Sequence, residues 1–431
     1  MRKIKKVKIE GFWGTRTVTL NFNDDINFLI GVNGSGKTTM INLIAASLNA
    51  DFATLDKAQF SKIRVDFFDL KEVKEKTQCF IEVEKTVNEN SPYSNIIFKI
   101  KLPDDNKPKI YKLNELEEES FFRYPNDYII HKRHRLSGQL ERDVNIALKD
   151  IVNLTWLSIH RTTGISRTSD EKSFESTIDK KINELSTDLV KYFGILDKRY
   201  SLETEKFQKN IFLSLIEDET QDDILSISKE LDSEKEKDSL KQIFLLFKLK
   251  ENDFSLKLQK HFKSFEAAKD NLKKNQEINL NHLAAFIGTR RVHSIVQEWN
   301  TLNEIKTLIN KPKFTFLSEI NCLFQGKKIS INERNELFVE TQSGKTFPLI
   351  HLSSGEKQLI IILGQSLLQE NNNHIYIADE PELSLHVEWQ EKLVSSLKSV
   401  NPNSQIIFAT HSPDIVGKYS DSVINVEEVI K

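Results

Sequence analysis

The opening run Met1-Arg-Lys-Ile-Lys-Lys-Val-Lys-Ile9 alternates charged and aliphatic residues. That period of two predicts a first strand with one buried face, and it lacks the uninterrupted apolar segment of a leader peptide. Ile26 to Ile30 is continuously apolar and predicts a buried strand, after which Met40, Leu43, Ile44 and Leu48 recur at helical spacing. From about 55 to 112 short alternating runs, Ile63–Phe68, Cys79–Val83 and Ile96–Ile100, are broken by Asn, Asp and Pro. They predict a small antiparallel sheet. Leu154 to Arg161 reads as a strand returning to the core.

From about 170 to 320 the pattern turns helical, with Phe174, Ile178, Ile182, Leu185, Leu189 and Tyr192 at intervals of three and four. The heptads are interrupted at Gly194 and again among Phe244, Phe247 and Phe254, which predicts a compact helical lobe and not a long coiled-coil arm. Lys328–Ile331 and Glu336–Glu340 flank Asn-Glu-Arg-Asn as a hairpin. Alternating helix and strand patterns follow: a helix over Leu359–Leu368, a strand over Ile375–Ala378, a helix over Val387–Val400, a strand over Gln405–Ala409 and a closing strand over Val423–Ile430. The predicted class is α/β, with a mixed core sheet, an antiparallel β subdomain and a helical insertion. The predicted domains are 1–169, 170–325 and 326–431, with the first and last forming two halves of one nucleotide-binding domain.

Composition adds exclusions. The 431 residues suffice for two or three domains, and 39% of them are apolar. Lys and Arg number 61 against 63 Asp and Glu, so no global basic excess announces a nucleic-acid partner. Two basic clusters, His131–Arg135 and Arg290-Arg291 with His293, could each contact phosphates, but they lack the aromatic interleaving of single-strand binders. The two cysteines, Cys79 and Cys322, can form neither a disulfide framework nor a zinc site. No stretch approaches the ~20 apolar residues of a membrane span. A soluble, cytoplasmic protein is expected.

The chemistry sits in two clusters more than 300 residues apart. Gly31-Val-Asn33-Gly34-Ser35-Gly36-Lys37-Thr38-Thr39 fits the phosphate-cradling pattern G-x-x-x-x-G-K-[ST] between a strand and a helix. Its glycines let backbone N–H groups close around a β-phosphate at a helix N-terminus. Lys37 is suited to the β/γ oxygens and the Thr38 hydroxyl to Mg²⁺. In the second cluster, Ser353-Ser354-Gly355-Glu356 precedes an apolar helix, and the strand ending at Ala378 runs into Asp379-Glu380. Carboxylates at a strand tip suit a phosphate-hydrolysing site, with Asp379 in the Mg²⁺ shell and Glu380 as general base on water. His411, at the tip of the next strand, is placed to sense a γ-phosphate.

The order and spacing of these motifs resemble the ABC-type ATPases, and more narrowly the soluble branch containing RecF, SMC and Rad50 proteins and the ATPase part of OLD nucleases. The resemblance covers about the first 50 and last 90 residues. It implies a head-to-tail homodimer in which Ser354 and Gly355 act on the nucleotide of the other subunit, with higher oligomers built from such dimers. Two departures stand out. Trp13 takes the place where the branch often has a basic residue, either as packing between strands or with the nucleotide contact moved to Arg16. His160 and Arg161 stand where the family often has a Gln near Mg²⁺.

OLD proteins append a Toprim nuclease, and nothing after His411 is expected to supply its acidic cluster. The chain most resembles the stand-alone ATPase subunit of a bacterial antiphage system, of PARIS type or, second, Septu type. The resemblance implies ATP and Mg²⁺ as cofactors and a separately encoded effector, expected to be a nuclease. The competing expectations are a RecF-like DNA-repair ATPase and a scaffold in which ATP only cements oligomers, the latter disfavoured by Glu380.

Overall fold

The computed structural model describes residues 2–68, 79–87, 94–103, 105–112, 126–157, 176–214, 231–274, 277 and 279–431, with backbone alone for 126–137. His160, Arg161 and Phe174, and the side chains of His131–Arg135, therefore lie outside the described residues. These residues fall into two compact units, one of residues 1–190 with 312–431 and one of residues 191–311.

In the larger unit the chain opens with β1 (Ile4–Phe12) and β2 (Arg16–Asn21), crosses to β3 (Ile26–Ile30), and then forms α1 (Lys37–Leu48) and α2 (Phe52–Lys57). The short alternating runs become β4 (Lys62–Phe67), β5 (Phe80–Val87), β6 (Ser94–Lys101) and β7 (Lys109–Tyr111). These four join β2 and β1 in a six-stranded sheet of order β2-β1-β4-β5-β6-β7, antiparallel throughout. α3 (Asn126–Lys149), which the sequence reading did not assign, leads into β8 (Leu154–Leu157).

The long helices follow. α4 (Thr177–Ser214) runs unbroken through Gly194, so the interrupted heptad pattern there does not end the helix. A helix-interior glycine costs only about 1 kcal/mol, and Phe193 and Leu196 beside it are buried. The expected break among the phenylalanines is real: α5 (Ser233–Leu246) ends at Phe247, Lys248 adopts φ 60°, and α6 (Glu251–Lys273) begins afresh. α7 (Leu280–Leu323) carries Pro312 in its interior, and residue 312 is where the chain re-enters the larger unit. Within the smaller unit Phe207, Leu240, Ile243, Phe254, Leu258, Phe262, Val296 and Trp299 share one core.

Back in the larger unit, β9 (Lys327–Ile331) and β10 (Leu337–Thr341) form the expected hairpin, joined by an unforeseen third strand, β11 (Thr346–Pro348). α8 spans Ser354–Leu367 and so begins five residues earlier than its apolar stretch suggested. Ser353 caps it: its hydroxyl accepts from the Glu356 N–H while the Glu356 carboxylate accepts from the Ser353 N–H, the reciprocal pairing that fixes a helix start. β12 (His374–Asp379), α9 (Val387–Val400), β13 (Ser404–Ala409), α10 (Pro413–Val416) and β14 (Val423–Asn425) complete the fold, with α11 (Val426–Val429) after them. The expected closing strand thus stops at Asn425, whose side chain accepts from the Glu427 N–H and turns the chain into α11.

The second sheet is parallel, of order β14-β3-β13-β12-β8. All six residues of β13 are buried, as a central parallel strand covered on both faces requires. Ile375, Ile377, Ile407 and Ala409 face one core together with Met40, Ile41 and Ile44 of α1 and residues of the antiparallel sheet. Tyr376 points the other way and donates its hydroxyl to the Ile362 carbonyl of α8 at 3.1 Å. α1 is consequently buried nearly all round, which explains its apolar composition.

Gln405 fastens the two ends of the chain together. Its carbonyl accepts from the Ile4 N–H at 2.7 Å, and its amide donates to the Ile4 and Asn23 carbonyls at 2.7 Å each. We predict that Gln405→Leu, which strands these backbone groups in a dry interior, destabilises the protein by about 2–4 kcal/mol in thermal or denaturant unfolding. A loss below about 0.5 kcal/mol would show that the groups find other partners.

On the neighbouring strand, at the same end of the sheet, His374 is partly buried, and that burial pulls its imidazole from the ordinary 6.5 down to about 4. It is neutral in the fold and must gain a charge as the pH falls. Stability is therefore complete above about 6.5 and declines between 6.5 and 4, by up to about 3 kcal/mol. His374→Gln should flatten that part of the melting temperature against pH curve, and an unchanged slope would exclude His374 as its source.

Candidate active site

β3, β13 and β12 are adjacent and parallel, so their C-terminal ends share one edge of the sheet. The phosphate-binding loop leaves β3, the carboxylates end β12, and His411 follows β13. Ligands of parallel α/β sheets collect at that edge. The structure brings the two distant motif clusters together there.

The loop 31–36 is held open by its glycines. Gly34 and Gly36 have φ of 82° and 97°. A Cβ on Gly36 would also sit 2.9 Å from Phe12 Cζ and 3.0 Å from Trp13 Cζ2. Trp13 therefore packs directly on the loop. It stacks against Phe12, and the Arg16 guanidinium lies 5.7 Å from its ring centre. Asn33 and Gly34 are exposed, while Ser35, and Thr39 at the start of α1, are partly buried. Lys37 folds back to donate to the Gly31 carbonyl at 2.8 Å and the Val32 carbonyl at 3.2 Å. Burial depresses its ammonium pKa, opposed by the fields of Glu380, Asp379, Glu427 and Glu382. Its ammonium is held by backbone carbonyls alone, with no carboxylate in hydrogen-bond contact among the described residues.

The Thr38 hydroxyl donates to Asp379 Oδ1 at 3.1 Å. These two oxygens are the kind of donor a hard Mg²⁺ takes, alongside waters and phosphate oxygens, so the residues fit the ion that the motif implies. Glu380 adopts φ 48°, a left-handed conformation costly for a side chain, and its N–H is held by the Ala409 carbonyl at 2.8 Å. The turn leaves Glu380 Oε1 3.9 Å from His411 Nε2, with both side chains about a third exposed, so the carboxylate and the imidazole face the same space.

The serine–glycine motif begins α8. Ser353 is committed to capping, and Glu356 is further fixed by the Lys327 ammonium at 2.8 Å. Between them Ser354 is exposed. Gly355 is buried where any Cβ would run into the Ser384 carbonyl oxygen. Behind the motif Lys357 pairs with Asp179 of α4 at 2.6 Å, and Gly364 leaves room for Leu185 of α4.

Three site residues escaped the sequence reading. Glu382 is buried, and its Oε1 accepts from the Thr410 hydroxyl at 2.6 Å, the His411 N–H at 3.0 Å and the Ser412 N–H at 3.3 Å. Gln358 donates to the Pro381 carbonyl at 2.8 Å, and Gln390 bonds both Ser412 Oγ and the Leu385 carbonyl. None sits in a phosphate-binding pattern. The available signal was an acidic residue two positions beyond the Glu380 turn. Of the basic cluster around Arg290, His293 is engaged with Glu236 at 2.6 Å inside the smaller unit.

A P-loop on one strand of a parallel sheet, carboxylates on the next but one, a histidine on the strand between and a capped serine–glycine helix start define an ABC-type ATPase head. The chain belongs to the AAA ATPase domain family, whose profile matches residues 2–416. It is 32% identical over 123 residues to the "Retron Vc95 probable ATPase" of Vibrio cholerae, covering 26% of this chain and 23% of that one. It is 27% identical over 133 residues to the Rad50 DNA double-strand break repair ATPase of Sulfurisphaera tokodaii, covering 30% and 15%. It is 30% identical over 95 residues to the Septu protein PtuA of Bacillus thuringiensis, covering 19% and 24%. The chain thus spans less than a quarter of the length of the curated relatives it matches. Among the described residues no helix is long and apolar enough to cross a membrane.

Gly355→Ala should lower stability by about 1–3 kcal/mol, because the new methyl displaces the Ser384 turn. Ser354→Ala, on an exposed side chain, should stay within about 0.5 kcal/mol. Thermal unfolding without nucleotide checks the pair, and equal effects would contradict the packing described.

Proposed function

We propose that this chain is a Mg²⁺-dependent ATP hydrolase that closes into a head-to-tail dimer on ATP and, through that cycle, holds or releases a separately encoded effector in antiphage defence. The observation that carries the reading is the Thr38–Asp379 contact, made across 341 positions of sequence beside the Glu380–His411 pair.

Lys37 binds the β/γ-phosphate oxygens in place of its present carbonyl partners, with the loop N–H groups of 33–38 around the β-phosphate. A bound Mg²⁺ supplies charge neutralisation of the phosphates, and Thr38 and Asp379 are the residues to hold it. Glu380 takes the proton of the attacking water, and His411 donates to the γ-phosphate. Exposed Ser354, with the N-terminus of α8 behind it, reaches the γ-phosphate of a second copy, which makes closure depend on ATP. The retron and Septu relatives support placing this cycle in a defence system, and Septu is one of the two types that the sequence resembles. The effector is expected to be a nuclease. The Rad50 relative favours a second reading, a DNA-repair ATPase, in which DNA would stimulate hydrolysis.

The test is purification of Glu380→Gln protein from its native gene neighbourhood. The variant should bind ATP, dimerise and hydrolyse at least 100-fold more slowly, as loss of a general base requires (about 10²–10⁴). Lys37→Ala should lose both binding and dimerisation. Wild-type turnover by Glu380→Gln would remove the base assignment. A neighbour-encoded protein co-eluting in stoichiometric amount supports the defence reading, whereas nucleic acid without such a protein overturns it in favour of repair.

A further inference from the structure

The buried Glu382 takes no part in the chemistry just described, yet every hydrogen bond it accepts comes from the segment that carries His411. One oxygen gathers three donors from consecutive residues Thr410, His411 and Ser412, while Oε2 is buried with no hydrogen-bond partner among the described residues. A surface carboxylate could trade those donors for water, but a buried one cannot. Its three bonds therefore fix the backbone that carries the His411 imidazole.

The same short segment is gripped from the other side. Gln358 of α8 donates to the Pro381 carbonyl at 2.8 Å, and Gly355 rests against the Ser384 carbonyl. Gln390 adds a second tie, accepting from Ser412 Oγ at 2.7 Å and donating to the Leu385 carbonyl at 2.9 Å. Residues 381–385 are thus a strut, with the start of α8 at one end and the His411 loop at the other. The bonds that Glu382 and Gln358 do make are buried, so a shift at either end is passed on and not absorbed by solvent.

We propose that Glu382 is a positioning residue for ATP hydrolysis: it sets His411 through the backbone of 410–412 and couples that histidine to the serine–glycine end of α8 in the same subunit. The proposal rests on the ATPase reading above, and its test has one readout that does not need turnover.

Glu382→Ala should lower kcat about 100-fold, the scale of a misplaced catalytic group, with KM for ATP unchanged. Glu382→Gln keeps an acceptor oxygen in the same place and should restore most of the rate. Glu382→Asp withdraws the acceptor by one methylene and should behave like Glu382→Ala, so the comparison survives if the alanine variant fails to fold. Combining Glu382→Ala with His411→Ala should add little to His411→Ala alone. In nucleotide-free protein, amide hydrogen exchange at His411 and Ser412 should accelerate in the alanine and aspartate variants and not in the glutamine variant. Unchanged exchange in both, multiplicative double-mutant effects, or a glutamine variant as impaired as the aspartate one would overturn the proposal. If wild-type protein hydrolyses no ATP, the functional reading fails, while the exchange measurement still decides whether Glu382 holds the His411 loop.

Discussion

The parallel pairing of β13 between β3 and β12 is the constraint on which the site depends. Ile406–Ala409 align with Ile26–Leu29 on one side, and His374–Asp379 align with Ser404–Ala409 on the other. Parallel strands must be joined by crossovers, so residues that meet here are necessarily remote in sequence. The register decides which side chains end together, and it puts the β3 loop, Asp379, Glu380 and His411 on one edge. Gln405, in the same central strand, ties that register to the first strand of the chain.

Around this edge the polar groups are arranged in two grades of freedom. Lys37, Glu380, Ser354 and the exposed loop residues have exchangeable partners or stand open to solvent. Glu382, Gln358, Ser353 and Glu356 are locked by two or more bonds each or by burial. The arrangement tolerates local strain at three side chains of positive φ, Trp13, Glu380 and Ser384, and at Glu380 the bond to the Ala409 carbonyl holds it. The pairing of α8 with α4 through Lys357–Asp179 and Leu185–Gly364 gives the serine–glycine end a second mechanical neighbour.

What was legible in advance followed from short-range rules. The P-loop is readable because glycine spacing, a lysine and a hydroxyl have one common use between a strand and a helix, and the carboxylates because two acids at the tip of an apolar strand rarely serve packing. Strand and helix positions came from periodicity, and they failed where another term outweighed it. At Gly194, where only the heptad pattern is interrupted, the helix continues because buried neighbours outweigh one glycine. Val426–Val429 turned helical because the Asn425 cap competes with extension. The start of α8 was missed because a capping box is polar while the pattern reading followed apolar residues.

The sequence by itself determined the ATPase class, the α/β alternation and the presence of the phosphate-loop motif, since these depend on local backbone geometry and residue type. The tertiary structure alone decided that Thr38 touches Asp379, that Trp13 packs on Gly36, and that a buried Glu382 holds the His411 loop. Those contacts join strands and loops separated by up to hundreds of residues, and no local pattern encodes them. They follow from a sheet register fixed by burial of both faces of β13.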